Sequence, residues 1–398
     1  MPSGAKSWVP SFAATIVAMM AIQMSSLGFS PLLPAIQKDF GISYSQIGLF
    51  TGLYGLVAIA MSLPAGILAK RFGEKLALTA GLLGVALGLS LLSRASTYDW
   101  ALGARVVWLL GYRVAFVCVM TSIALIAPPQ FRSRAMGILG AMASLSSVIG
   151  APFGTIIAEP YGWRGGIIGF AVMALLGAAV FWMAYKPGAS TSGPISFHGH
   201  GPLAPTRSAF RTPVVWSMIL LGLINMGGFS ATFFVPSAVR TTFQLGAVAS
   251  AYVISTGYVV AIFANLLFGY LCDKWDRWNM MIALAVVLIP SCFAMMTSNL
   301  LVFRVATALV ISLGLCATNQ IYAIAAEVVG RSETGPVMGV IGLGAGLFGY
   351  VGPQALGILR DRTGGFTAGW FFVAGGVIVA LVEIVFLRNY ARSRPASK

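Results

Sequence analysis

Apolar residues in this chain come in long unbroken runs. Twelve of them stand near 11–36, 45–69, 76–93, 100–127, 136–158, 165–185, 213–237, 247–271, 279–297, 299–326, 336–359 and 366–387. A helix rises 1.5 Å per residue, so about 20 apolar residues cross the roughly 30 Å of hydrocarbon in a bilayer. Barrel strands would alternate apolar and polar residues over about ten positions. These runs do not alternate, and the pattern predicts an all-α membrane protein of twelve transmembrane helices. The longest connection, 186–212, is rich in Gly, Pro, Ser and Thr. It reads as a cytoplasmic linker between a six-helix bundle over 1–185 and a second over 213–398.

Composition sharpens this picture. Of 398 residues 58% are hydrophobic and only 9% charged, where a soluble domain carries about 25% charge. An ordinary soluble globule and a disordered chain are both excluded. The net charge of +15 would suggest a nucleic-acid partner in a soluble protein, but the placement of the cations explains it otherwise. Sixteen Lys and Arg fall on one side of the predicted spans, six on the other, and Arg105, Arg113 and Arg304 inside. Basic loops stay in the cytoplasm, so both termini are expected on the cytoplasmic face of the inner membrane, with the lipid bilayer and not nucleic acid as the neighbour. The four cysteines lie in apolar runs without CxxC spacing and read as small buried hydrophobes. His198 and His200 sit in the linker with no Cys or carboxylate nearby, so no metal site is expected. The first run is long and followed by more of the same, which does not fit a cleavable signal peptide. There is no nucleophile with a base and no phosphate loop; neither an enzyme nor a cofactor is expected.

The chain also repeats itself at an offset of about 200 residues. Gly28-Phe29-Ser30 meets Gly228-Phe229-Ser230, Pro34 meets Pro236, Arg105 meets Arg304, and Gly150-Ala151-Pro152 lies against Gly352-Pro353. Gly66 to Gly73 meets Gly269 to Asp276. Two parallel repeats of six spans form a transporter architecture, with the substrate near the midplane. On these features the sequence resembles the major facilitator superfamily over nearly its whole length. The family's loop after span two, Gly-x-x-x-Asp-Arg-x-Gly followed by two bases, is similar to Gly66, Arg71, Gly73 and Lys75, with Lys70 where the family has Asp. The second-half copy keeps Gly269, Asp273, Lys274 and Arg277. Arg105 and Gly111 resemble the fourth-span pattern, and Gly162-Trp163-Arg164 resembles members that carry organic anions. The resemblance implies that the motif Asp helps close the cytoplasmic side at a helix start. Asp273 suits that place and Lys70 does not, so an uneven cytoplasmic gate is expected.

The polar residues inside spans carry the chemistry. Arg113 lies about 18 Å into the fourth span at 1.5 Å per residue. A central Arg costs roughly 2.5–3.5 kcal/mol on insertion scales and calls for a cavity, a partner or a ligand. Its repeat counterpart is near Ser312, so the charge is one-sided. Bonds to backbone carbonyls are the structural alternative. A guanidinium fork fits a carboxylate in bidentate fashion, which points to a small anionic substrate. Arg105 and Arg304 lie only about 6–8 Å in and are expected to extend to the interface. Gln23, Tyr54, Asn225, Tyr258, Asn319, Gln320 and Tyr350 are candidate lining residues, with interhelical bonding as the alternative. Glu383 is the lone acid inside a span, about one turn from Arg388 at the cytoplasmic edge. With no carboxylate or histidine at midplane, a protein-borne proton carrier is disfavoured. The expectation is a monomeric carrier of a small organic anion working by alternating access, as uniport, antiport or symport with a proton on the substrate. A proton-driven drug or metabolite exporter of the same superfamily and a non-transporting membrane receptor or scaffold are the alternatives.

Overall fold

The computed structural model describes residues 8–62, 64–128, 132–186, 212–329 and 334–393. Among them the chain is a succession of helices. α1 (Val9–Gly28) runs through a 3-10 turn at Ser30–Leu32 into α2 (Leu33–Phe40). α3 (Tyr44–Ala60) meets α4 (Pro64–Phe72) at a bend of 61°. Then come α5 (Glu74–Ser93), α6 (Tyr98–Ile126) and α7 (Arg132–Ala184). The remainder is α8 (Thr212–Thr242), α9 (Ala247–Lys274), α10 (Arg277–Ala294), α11 (Leu300–Val329), α12 (Thr334–Thr363) and α13 (Thr367–Ser393). The 53 residues of α7 would extend about 80 Å at 1.5 Å per residue, too far for one crossing. Gly162, at φ 68° and ψ 177°, folds it into two arms; a side chain would be strained there. Nine described helices are long and apolar enough to cross a membrane, and the bent α3–α4 pair makes a tenth. With α7 counted as two crossings and α12 added, the total is the twelve expected from the apolar pattern.

The chain falls into two compact units, Met1–Gly41 with Ala60–Phe197, and Ile42–Ile59 with His198–Lys398. α3 therefore packs with the second unit although it precedes the linker in sequence. In the first unit α1 lies along α7 and α5 along α6. Both contacts are made backbone to backbone at glycines. A Cβ on Gly28 would stand 2.6 Å from the carbonyl carbon of Gly150, and one on Gly111 2.6 Å from Gly81 O and Val85 N. Small residues let membrane helices approach this closely. One end of the unit is tied by Arg164, whose Nη1 donates to Asp39 Oδ2 at 2.7 Å and Nη2 to Ala95 O at 2.9 Å. Trp163 Nε1 donates to the same Asp39 oxygen at 3.2 Å. The Gly-Trp-Arg motif thus turns the chain at Gly162 and fastens three segments together. Because this ion pair is about 40% exposed, Asp39→Ala should lower stability by no more than about 1 kcal/mol, read as a small fall in the thermal midpoint.

In the second unit α8 packs on α12, α11 and α13, and α10 on α13 and α11. α8 is the most enclosed of the described spans, with an unbroken buried run from Ser230 to Val239.

Candidate functional site

Each unit holds part of the predicted polar set. In the first, Arg113 is the sixteenth of the 29 residues of α6, close to its middle. It is half-buried on a partly open stripe with Val106, Leu110 and Val117. Its guanidinium carbon stands 5.6 Å from the ring of Tyr112. Tyr112 is buried, stacks on Phe116 at 5.9 Å, and donates its hydroxyl to Gln23 Oε1 at 2.6 Å. Gln23 therefore bonds between helices, holding α1 to α6 beside Arg113. Sequence reasoning missed Tyr112; the pairing of 23 with 112 has no local signal.

The two repeat-related arginines differ. Arg105 does not extend to the interface as expected: it is 0% exposed. Its guanidinium carbon sits 4.3 Å from the Phe29 ring and 4.0 Å from the Trp108 ring. Arg304 is exposed, as expected. The physical reason lies in the partners. Two aromatic faces enclose Arg105 and attract its charge. In the second repeat Thr307 stands where Trp108 does in the first, and the ring of Phe229 lies instead against Tyr54 and Phe233 at 5.1 and 6.2 Å.

In the second unit Tyr54, Phe229 and Phe233 form a row of rings, and the buried Tyr258 hydroxyl shares a 3.2 Å hydrogen bond with Thr232. Tyr54 and Phe229 are half-open. Tyr350 lies against α3, its ring 2.8 Å from the Cβ position of Gly52. Gln320 is half-buried. The side chains of Asn225, Asn319 and Asp273 lie outside the described residues, as does the exposure of Gly269. Ser230 Oγ, Thr307 Oγ1 and Gln354 Oε1 are buried polar atoms with no hydrogen-bond partner among the described residues.

The basic motif loops are surface features. Gly66, Lys70, Arg71 and Lys274 are exposed, while Gly73, Lys75 and Arg277 are half-exposed. Gly73 has φ 78° and starts α5, a conformation suited to glycine. The Lys75 ammonium lies 4.7 Å from the Trp182 ring and that of Lys274 4.5 Å from Tyr270. The contact expected of Asp273 lies outside the described side chains; a separate acid, Asp361, does sit on a helix start. Its Oδ1 accepts from Tyr44 N at 2.9 Å and its Oδ2 from Ser45 N at 2.8 Å, at the first turn of α3. Partial burial pushes the Asp361 carboxyl up, but the donors of Ser45, Tyr44 and Ser43 outweigh it and hold it below the usual carboxylate range.

Glu383 is 4% exposed, and neither carboxyl oxygen has a hydrogen-bond partner among the described residues. Nearby Arg388 donates Nη1 to Asn279 Oδ1 at 3.0 Å. An unsatisfied buried polar group costs about 1–3 kcal/mol. Glu383→Leu should accordingly raise the thermal midpoint by a few degrees; a lower midpoint would show that the carboxyl is satisfied after all.

A sequence profile described as the Major Facilitator Superfamily matches residues 12–353. The chain is 26% identical to a protein named "Uncharacterized MFS-type transporter YtbD" of Bacillus subtilis (strain 168), over 98% of each chain. It is 23% identical to a protein named "Putative tartrate transporter" of Agrobacterium vitis, over 92% of this chain and 89% of that one. Among solved structures, a bacterial homolog of the human lysosomal transporter Spinster, in an inward-facing and unoccupied conformation, matches with a TM-score of 0.75. That match is at 16% identity, over 98% of this chain and 96% of the other.

Proposed function

Because the chain belongs to the major facilitator superfamily, and so is a transporter and not an enzyme, we propose that it carries a small organic anion across the inner membrane by alternating access. The observation that carries this reading is the half-buried Arg113 at mid-length of α6, its guanidinium carbon 5.6 Å from the ring of Tyr112. A planar fork held there suits a carboxylate. A relative named for tartrate supports the same substrate class. The reading places both termini in the cytoplasm, in keeping with the distribution of the basic residues, and takes the carrier as a monomer. Within the second unit, taken by itself, Tyr54, Tyr258, Tyr350 and Gln320 are the described polar candidates for substrate contact, with Asn225 and Asn319 as the further ones.

The test is a thermal-shift screen of the purified protein against tartrate, a neutral sugar and a cationic dye. A ligand at 100 times its Kd stabilises by about 2.7 kcal/mol, which moves the midpoint by several degrees. Tartrate should do this, Arg113→Ala should abolish the shift, and Arg113→Lys should restore only part of it, since an ammonium lacks the fork. Stabilisation by the cation alone would overturn the anion reading. A proton-driven exporter is the second reading, and the buried carboxyl of Glu383 favours it; Glu383→Gln would then abolish proton-driven efflux of the dye.

A further inference from the structure

We propose that the second unit holds a pit for an aromatic ring, made by Gly228 and Phe229 of α8 and walled by Tyr54 of α3, and that the substrate is accordingly an aromatic carboxylate. The carboxylate half of this rests on the organic-anion reading above. The ring half rests on the second unit taken by itself, to which α3 belongs as far as Ile59.

The two repeats carry the same Gly-Phe-Ser and treat it differently. In the first, a Cβ on Gly28 would stand 2.6 Å from the carbonyl carbon of Gly150, and Phe29 and Ser30 are fully buried. In the second, nothing lies within 4 Å of the Cβ position of Gly228, and Gly228 and Phe229 are both half-open. They nevertheless sit near the middle of an enclosed helix, Phe229 being the eighteenth of the 31 residues of α8. A stripe facing lipid would also leave side chains half-open, but it would continue at the positions three and four residues away. α13 has such a stripe, exposed at Phe371, Ile378, Val382 and Val385, and the open Gly375 falls on it. On α8 the opening stops at once: Ile224, Met226, Ala231, Thr232 and Phe233 are buried. On α3 the positions one turn from the half-open Tyr54 are buried at Phe50, Thr51 and Val57, and Ala58 is half-open. The opening at Gly228 and Phe229 is therefore local, a pit and not a lipid-facing stripe.

The walls of the pit select its occupant. The Tyr54 and Phe229 rings stand 5.1 Å apart at 41°, and the buried Phe233 backs Phe229 at 6.2 Å. The row thus begins in packed interior and ends in two half-open rings. Aromatic rings favour offset or edge-to-face neighbours with centroids about 4.5–7 Å apart, and gain more from them than the burial of area alone. A ligand ring set beside Tyr54 and Phe229 extends the row by the same rule. The missing side chain at 228 lets a flat group come down to the backbone of α8. A polyhydroxylated body gains less there, because hydroxyls laid against ring faces lose their partners in water.

The test is a thermal-shift titration of the purified protein at neutral pH with benzoate, cyclohexanecarboxylate and benzyl alcohol. The two acids share charge and size, and the saturated ring is at least as apolar, so a preference between them reports ring contact and not burial alone. Benzoate should reach its half-maximal shift at a concentration several-fold lower, up to about tenfold, and Phe229→Leu should bring the two acids within about twofold. Equal half-maximal concentrations in the parent protein would overturn the pit, as would a preference that Phe229→Leu leaves intact. Should Phe229→Leu not fold, Gly228→Leu takes its place. With open space at its Cβ position it should keep the unliganded midpoint and lose the benzoate shift; a retained shift would overturn the proposal. A shift with benzyl alcohol and none with either acid would refute the anion reading and uphold the pit, whereas no shift with any of the three would overturn the pit itself.

Discussion

Gly111→Leu should leave little folded protein in the membrane, while Gly103→Leu, eight residues earlier on the same helix, should leave yield and thermal midpoint intact or slightly higher. A side chain at 111 would begin 2.6 Å from Gly81 O and Val85 N and 2.7 Å from the carbonyl carbon of Gly84. All three obstacles are main chain of α5, so no rotamer change relieves them. Overpacking costs about 1–3 kcal/mol where side chains can shift, and more where they cannot. At Gly103 nothing lies within 4 Å of the Cβ position, and leucine favours the helix over glycine by up to about 1 kcal/mol. Opposite signs for one substitution on one helix isolate close approach as the cause. Monodisperse yield in detergent and the melting midpoint are the two measurements; equal effects at both sites would show that Gly111 is not a contact residue.

The span pattern was legible because a bilayer imposes length and hydropathy on each crossing separately. Twelve apolar runs, the linker and the motif loops could be read one at a time. The repeat was legible too, in Gly28-Phe29-Ser30 and Gly228-Phe229-Ser230. What lay hidden was pairing. Nothing local tells that Tyr112 reaches Gln23, or that Asp361 closes the first turn of α3. Both are contacts between residues far apart in sequence, and neither partner alone carries a local mark of the other. Glycine shows the same limit. Nothing in the sequence singles out Gly48, Gly52 and Gly55, and only their fit against Gly346, Tyr350 and Pro353 reveals one continuous stripe. Arg113 was legible in the other direction. Its type and depth mark it from sequence alone, because an intramembrane charge is costly wherever it sits.

The twin arginines show how far symmetry of sequence can mislead. Arg105 and Arg304 occupy matching places in the repeats and by depth should both reach the interface, yet one is enclosed and the other exposed. Arg105→Ala should therefore destabilise the protein by several kcal/mol, whereas Arg304→Ala should stay within about 0.5 kcal/mol, as exposed substitutions do. The first change removes a desolvated cation from two ring faces, worth about 2 kcal/mol or more, and withdraws a long aliphatic stem from a packed interior. It also leaves Phe29 and Trp108, 5.1 Å apart between centroids, without the group that fills the space beside them. Transplanting the environment is the sharper experiment. Thr307→Trp puts the missing ring three residues after Arg304, at the spacing that Trp108 has from Arg105. If the ring is what draws the guanidinium inward, Arg304→Ala should become more damaging in the Thr307→Trp background than in the parent, by about 0.5–1 kcal/mol, the worth of a cation over a ring at a more exposed site. A double-mutant cycle on the thermal midpoint gives that coupling directly, and a coupling of zero would assign the burial of Arg105 to its place between α1 and α6 and not to Trp108.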